Sequence, residues 1–304
     1  MNINNRPTEQ MHLMQGTLVR GIGSFYTVRD KAHKEYTVRC KKRFRHEKVI
    51  PLVGDEVLFS PGQGEEHGWL EEIFERKTEC LRPPVANVTM LVIVIAPIPE
   101  TDLLLTDRQI TRVICQGIKV VIAVNKTDLD PQYADIIRKE YTGCGIPVIA
   151  VSAKEMTGLD ELRQFLAREL CCFTGQSGVG KSTLLNALLD LDLKTGDISQ
   201  KIARGKNTTR HIELIERNGI RVMDTAGFNL LEPETELEPE KLKDRYPEFF
   251  GYEGKCRFRE CLHDREPGCA VREAAEKGEI SIGRLRRYQL LLREIREVWR
   301  ERYD

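Results

Sequence analysis

One segment limits the folds open to this 304-residue chain more than any other. Gly175-Gln176-Ser177-Gly178-Val179-Gly180-Lys181-Ser182 fits G-x-x-x-x-G-K-[ST]. An apolar run, Leu170–Thr174, precedes it, and a helix-forming run from Thr183 to Leu189 follows. The glycines let the backbone curl so that its N–H groups converge on one point, and the helix N-terminus adds positive potential there. A strand–loop–helix unit of this kind belongs to a parallel sheet. The surrounding pattern agrees, because apolar runs at 88–96, 119–124, 147–151, 170–174 and 221–223 read as strands. They alternate with helical stretches at 106–116, 131–141, 158–169 and 181–189, which predicts helices on both faces of the sheet.

The loop has companions. Lys181 can reach the outer phosphates of a nucleotide and Ser182 can ligate magnesium, with Thr183 beside them. Asn125-Lys126-Thr127-Asp128 follows a strand, and a carboxylate at Asp128 can accept from the ring N–H and exocyclic amine of guanine. Adenine offers no such pair. Lys126 can lay its stem over the base, and Asn125 can tie this segment to the phosphate loop. Ser152-Ala153-Lys154 closes the next strand, where a backbone N–H can meet the guanine oxygen. Asp224-Thr225-Ala226-Gly227 ends another, suiting Asp224 to magnesium and the Gly227 amide to the terminal phosphate. Between them, Asn207-Thr208-Thr209 offers a threonine to close over the metal, with Thr208 and Thr209 both open. Phe228 stands where many GTP hydrolases place a water-orienting glutamine, so intrinsic hydrolysis is expected to be slow.

Lysine plus arginine and aspartate plus glutamate number 47 each, so any preference for nucleic acid must be local. Residues 1–10 are polar, without the apolar stretch of a signal peptide. The longest apolar run, 88–96, is too short for a bilayer, which takes roughly 20 residues. A soluble, cytoplasmic protein is expected. Short alternating runs at 16–20, 24–28, 35–39, 55–59 and 68–73 predict five antiparallel strands of an OB-fold-type barrel. Lys41, Lys42, Arg43, Arg45 and Lys48 surround Phe44 between the third and fourth runs. They offer phosphate contacts with a base-stacking option, or else a solvated basic loop. Residues 81–84 read as a linker.

Nine cysteines in irregular spacing do not form a disulfide framework. Cys256-x4-Cys261-x-His263-x5-Cys269 instead supplies three thiolates and an imidazole, a full donor set for one structural zinc ion. The chain closes on a helix with Leu285, Tyr288, Leu292, Ile295 and Trp299 on one stripe. Its arginines alternate with Glu294, Glu297 and Glu301, which predicts a salt-bridged exposed face.

In this combination the chain resembles the ribosome small-subunit-dependent GTPase A (RsgA) family. The resemblance rests on the order NKTD, SAK, GQSGVGKST, DTAG and on the C-x4-C-x-H-x5-C segment. Gly54-Asp55-x-Val57 and Tyr246-Pro247-Glu248-Phe249 add to it. The guanine-reading half comes first, as in a ring of ordinary GTPase motifs cut at a different point. The resemblance implies a multi-domain chain: an N-terminal OB-fold β-barrel (1–80), a circularly permuted α/β GTPase domain (81–230), and a mostly helical zinc-binding domain (231–304). It implies GTP hydrolysis stimulated by the small ribosomal subunit, late in that subunit's maturation, with the subunit and its rRNA as partners. A monomer without membrane attachment is expected. The family usually carries histidine where this chain has Asn207, which can position water but cannot act as a general base near neutral pH. The alternative is an RNA-binding clamp that holds GTP structurally with little hydrolysis.

Overall fold

The computed structural model describes residues 13–62, 66–81, 84–190, 212–224 and 237–301. They divide into two compact units, one of 13–88 with 212–215 and 223–224, the other of 89–190, 216–222 and 237–301.

The first unit is a closed five-stranded barrel. Its strands are β1 (Met14–Ile22), β2 (Phe25–Asp30), β3 (Glu35–Cys40), β4 (Glu56–Ser60) and β5 (Gly68–Ile73). Pairing runs β1–β2–β3–β5–β4 and returns to β1, with only β3–β5 parallel. Alternation along each strand points Leu18, Val28, Val38, Val57, Phe59 and Leu70 inward. Closure satisfies both would-be edges. A short helix, α1 (Lys42–His46), lies between β3 and β4. It corrects the reading of the basic run. Phe44 is 4% exposed and part of the barrel core, so it cannot stack on a base. Lys41 pairs with Glu71, and Arg43 lies 5.1 Å over the Phe44 ring. The side chain of Arg45 lies outside the described residues.

The Gly54-Asp55 turn has its own mechanics. Gly54 has φ 96°, and a Cβ there would lie 2.1 Å from the Ala86 carbonyl oxygen. Buried Asp55 accepts from the Leu52 amide at 2.7 Å and from Arg76 Nε and Nη2 at 2.7 and 2.9 Å. The segment read as a linker, 81–84, instead includes the end of one strand and the start of the next, β6 (Glu79–Leu81) and β7 (Pro84–Ala86), with Leu81 paired to Pro84.

The second unit is built on a parallel sheet. Its strands are β8 (Met90–Ile95), β9 (Lys119–Val124), β10 (Val148–Ala150) and β11 (Leu170–Thr174), in the order β10-β9-β8-β11. β8 and β11 are buried at every position, as strands covered on both faces must be. α2 (Leu103–Ile114), α3 (Tyr133–Glu140), α4 (Leu159–Leu166) and α5 (Lys181–Leu189) accompany the strands.

The C-terminal part of this unit holds 3-10 turns over Pro239–Lys241, Lys243–Arg245 and Pro247–Tyr252. Then come α6 (Ala270–Glu276) and α7 (Ile282–Arg300). Tyr246, Phe249, Leu285, Tyr288 and Leu292 pack in one buried cluster with Cys261 and Cys269. Tyr246 and Phe249 stack at 5.1 Å, and both meet Tyr288 edge-on. The α7 arginines depart from expectation. Arg284, Arg287, Arg296 and the acid Glu294 pair with residues outside the helix, while Arg286, Arg293 and Arg300 have no ion pair among the described residues. Tertiary partners at close range outcompete the weak i,i+4 pairs.

Candidate functional site

β11 delivers the chain into the glycine loop, and Gly175 has φ 142°. A Cβ there would sit 2.1 Å from the Val94 carbonyl oxygen, so the loop can lie against β8 only with glycine. Gly180, at φ 91°, turns the chain into α5. Lys181 Nζ donates to the carbonyls of Gly175 and Gln176 at 2.7 Å each, folding back over its own loop. Burial lowers its pKa from the ordinary lysine value. Ser182 and Thr183 are half-buried in the first turn of α5, whereas Ser177 and Gly178 are exposed.

Asn125 assembles the site. It is 2% exposed, its Nδ2 donates to the Val179 carbonyl at 2.9 Å, and its Oδ1 accepts the Ala153 amide at 3.1 Å. One carboxamide thus joins three segments that are 28 and 54 residues apart in the chain. Lys126, at φ 61°, donates from Nζ to the carbonyls of Gly178 at 2.6 Å and Ile98 at 2.9 Å. Thr127 Oγ1 donates to the Val151 carbonyl at 3.0 Å.

Asp128 Oδ1 accepts from Ser152 Oγ at 2.6 Å, and Lys154 Nζ lies 3.9 Å from Oδ2. The Ser152 hydroxyl is the main cause that holds the Asp128 carboxyl below the usual carboxylate range, so it is ionised at neutral pH. The side-chain bond from Ser152 and the carbonyl of Ile98 escaped the sequence reading, since neither belongs to a spacing pattern. Asp224 ends the strand β12 (Ile220–Asp224). Its side chain, and Asn207, Thr208, Thr209, Gly227 and Phe228, lie outside the described residues.

The donor atoms of Cys256, Cys261, His263 and Cys269 all lie within 4.8 Å of one another. His263 Nδ1 is 3.7 Å from Cys256 Sγ and 3.4 Å from Cys269 Sγ. A tetrahedral ion with bonds of about 2.0 to 2.3 Å puts its ligand atoms about 3.3 to 3.8 Å apart, so the cluster could hold a metal ion. Burial pushes the Cys261 thiol up to about 12 and the His263 imidazole down to about 4. A dication is what such a set needs to release its thiol protons. The support is built: Tyr288 OH donates to the Leu262 carbonyl at 2.7 Å, Gln289 Nε2 donates to the His263 and Asp264 carbonyls at 3.1 and 2.9 Å, and Phe249 meets the His263 ring edge-on.

Comparison with known proteins covers nearly the whole chain. The family model described as RsgA GTPase matches residues 73–234, and that described as RsgA N-terminal domain matches 15–70. The small ribosomal subunit biogenesis GTPase RsgA of Geobacillus thermodenitrificans is 43% identical over 291 residues, covering 94% of this chain and 98% of that protein. The protein of the same description from Ruminiclostridium cellulolyticum is 40% identical, covering 93% and 94%. Among solved structures, YjeQ from Thermotoga maritima superposes with TM-score 0.81 at 31% identity, covering 93% of this chain and 98% of that one. YloQ, described as a circularly permuted GTPase, gives 0.77 at 32%, covering 96% and 98%. With the family model matched over residues 73–234 and relatives about 40% identical over nearly the whole length, the chain belongs to the RsgA GTPase family.

Proposed function

We propose that this chain binds GTP, hydrolyses it to GDP and phosphate, and acts in late maturation of the small ribosomal subunit, which stimulates the hydrolysis. One observation carries the reading. Asn125 holds the guanine-reading loop, the Ser152–Lys154 segment and the phosphate loop in one site, in a chain 43% identical to a protein described as a small ribosomal subunit biogenesis GTPase.

Asp128 accepts from guanine, and Ser152 keeps that carboxylate charged and aimed. On nucleotide binding, Lys181 exchanges its two loop carbonyls for phosphate oxygens. Ser182 and Asp224 would hold magnesium, which neutralises phosphate charge when bound. Either Thr208 or Thr209 would add a further ligand to it, and the Gly227 amide would meet the terminal phosphate. In hydrolysis a water oxygen bonds to the γ-phosphorus, the bond to the β-phosphate oxygen breaks, and the water's proton passes to the released phosphate. Asn207 orients that water by hydrogen bonding. Phe228 contributes no polar group, so turnover is slow until the subunit completes the site.

The ion at Cys256, Cys261, His263 and Cys269 is a single structural zinc, because four protein ligands leave no open position. The flanking regions, 1–80 and 231–304, contact rRNA. On the barrel, Phe25, Arg39 and Trp69 are cross-strand partners on β2, β3 and β5. Arg39 lies 4.6 Å over the Phe25 ring and Trp69 is 45% exposed, which makes a stacking surface for unpaired bases. The protein works as a cytoplasmic monomer. Among the described residues no helix is long and apolar enough to cross a membrane.

GTP turnover alone, with purified small subunits and with large subunits tests the reading. Stimulation by small subunits only is the expected result. Tight guanine-nucleotide binding with no stimulation would overturn it and favour an RNA clamp that holds GTP structurally.

A further inference from the structure

α2 makes two sets of contacts that lead to different places. Toward the phosphate loop, Gln176 Oε1 accepts the backbone N–H of Asp102, the N-cap residue of α2, at 3.0 Å. Buried Gln109 donates from Nε2 to Thr174 Oγ1, just before the loop, also at 3.0 Å. Toward the C-terminal region, buried Asp107 accepts from Arg284 Nη1 and Arg287 Nε at 2.6 Å each. Arg108 pairs with Glu294, and the Thr111 carbonyl accepts from Arg245 Nη1 at 3.2 Å. Successive helix positions turn by about 100°, which sets Asp107 and Gln109 on opposed sides of one rigid element.

Among the described residues the phosphate loop has three side-chain tethers of this kind. Two come from the guanine-reading segment, through Asn125 to Val179 and Lys126 to Gly178. The tether through α2 continues to α7 along one helix, whereas the guanine-reading segment reaches α7 only by way of α3, whose Glu140 accepts from Arg287 Nη1 at 2.8 Å. The junction at the far side is unusual for a stabilising contact. Asp107, Glu248 and Arg284 have fully buried side chains. Yet Glu248 Oε2, Arg284 Nη2, Arg287 Nη2 and Tyr246 OH have no hydrogen-bond partner among the described residues. An incompletely paired buried ion cluster adds little stability, and its best-attested use is to fix register between elements.

We propose that α2 is the positioning element through which the zinc-bearing C-terminal region sets the geometry of the phosphate loop, with Asp107, Arg108 and Gln109 as positioning residues. The partner that would use this route rests on the small-subunit reading above. Its effect on the loop is separate from base choice, since the Asp128–Ser152 contact shares no residue with it.

The test needs no ribosome, so its failure is distinguishable from failure of that reading. In the metal-loaded chain, Glu294→Gln removes the half-exposed contact with Arg108. Amide exchange over residues 175–182 and GDP release should both speed up by about 3- to 10-fold. Metal content and the preference for GDP over ADP should be unchanged. Gln109→Leu, acting from the loop side, should do the same, and the two substitutions together should be less than additive. Exchanging the charges, Arg108→Glu with Glu294→Arg, should restore both rates. Unchanged loop exchange and GDP release in both single variants would overturn the proposal, as would strict additivity.

Discussion

Ser152 Oγ donates to Asp128 Oδ1 at 2.6 Å and accepts the Glu155 amide at 3.1 Å. The serine is 1% exposed, so the carboxylate proposed to read the base is held by a buried hydroxyl. Ser152→Ala should weaken guanine-nucleotide binding by about tenfold, through loss of a charge-assisted bond. The pH response should change too. A depressed pKa keeps Asp128 ionised as pH falls, so affinity in the parent protein should hold until pH drops below the ordinary carboxylate value of 3.8. In the variant the loss should set in at a higher pH. Fluorescent GDP titration against pH reads both effects.

Asn125→Ala removes a donor from the Val179 carbonyl and an acceptor from the Ala153 amide, both in buried surroundings. The expected cost is about 2 to 4 kcal/mol, with loop and base-reading segment loosened together. Thermal unfolding and GDP affinity should fall in parallel. Lost affinity at unchanged melting temperature would show that the tie serves the ligand alone.

Asp107→Ala leaves the guanidiniums of Arg284 and Arg287 buried without their shared carboxylate. Breaking a buried pair from one side costs about 3 to 5 kcal/mol. Denaturant unfolding should show a loss of that size, far above that of Asp160→Ala, which removes a solvent-exposed carboxylate paired with Arg163.

Removal of the metal by a chelator should melt the packing of Tyr246, Phe249 and Tyr288, since Cys261 and Cys269 belong to the same cluster. Near-ultraviolet circular dichroism should lose its tyrosine signal, and one equivalent of zinc should restore it. Retention of the signal in the metal-free protein would show that the apolar cluster is sufficient.

On the barrel, Trp69→Ala and Arg39→Ala should weaken binding to single-stranded RNA while leaving the melting temperature within about 2 °C, as surface substitutions do. Phe44→Ala should instead destabilise the barrel by about 3 to 5 kcal/mol. Filter binding and calorimetry on the same variants separate a stacking role from a packing one.

Sequence alone determined what depends on local backbone tolerance and on period. Gly175 marks a close approach that no side chain permits, and its spacing to Lys181 is that of a strand–loop–helix turn. Full burial made β8 and β11 readable as apolar runs, and alternation made the barrel strands readable. Four metal donors within a short segment needed only a turn or two to converge. Tertiary structure decided which groups meet across long separations. Asp107 and Arg284 are 177 residues apart, and neither belongs to a spacing pattern. The fate of Phe44 turned on barrel closure, which placed α1 against the core and took the ring from solvent. The partners of the α7 arginines turned on which elements packed beside the helix. Periodicity records which face of an element is covered, but the identity of the covering group is set only when the chain closes on itself.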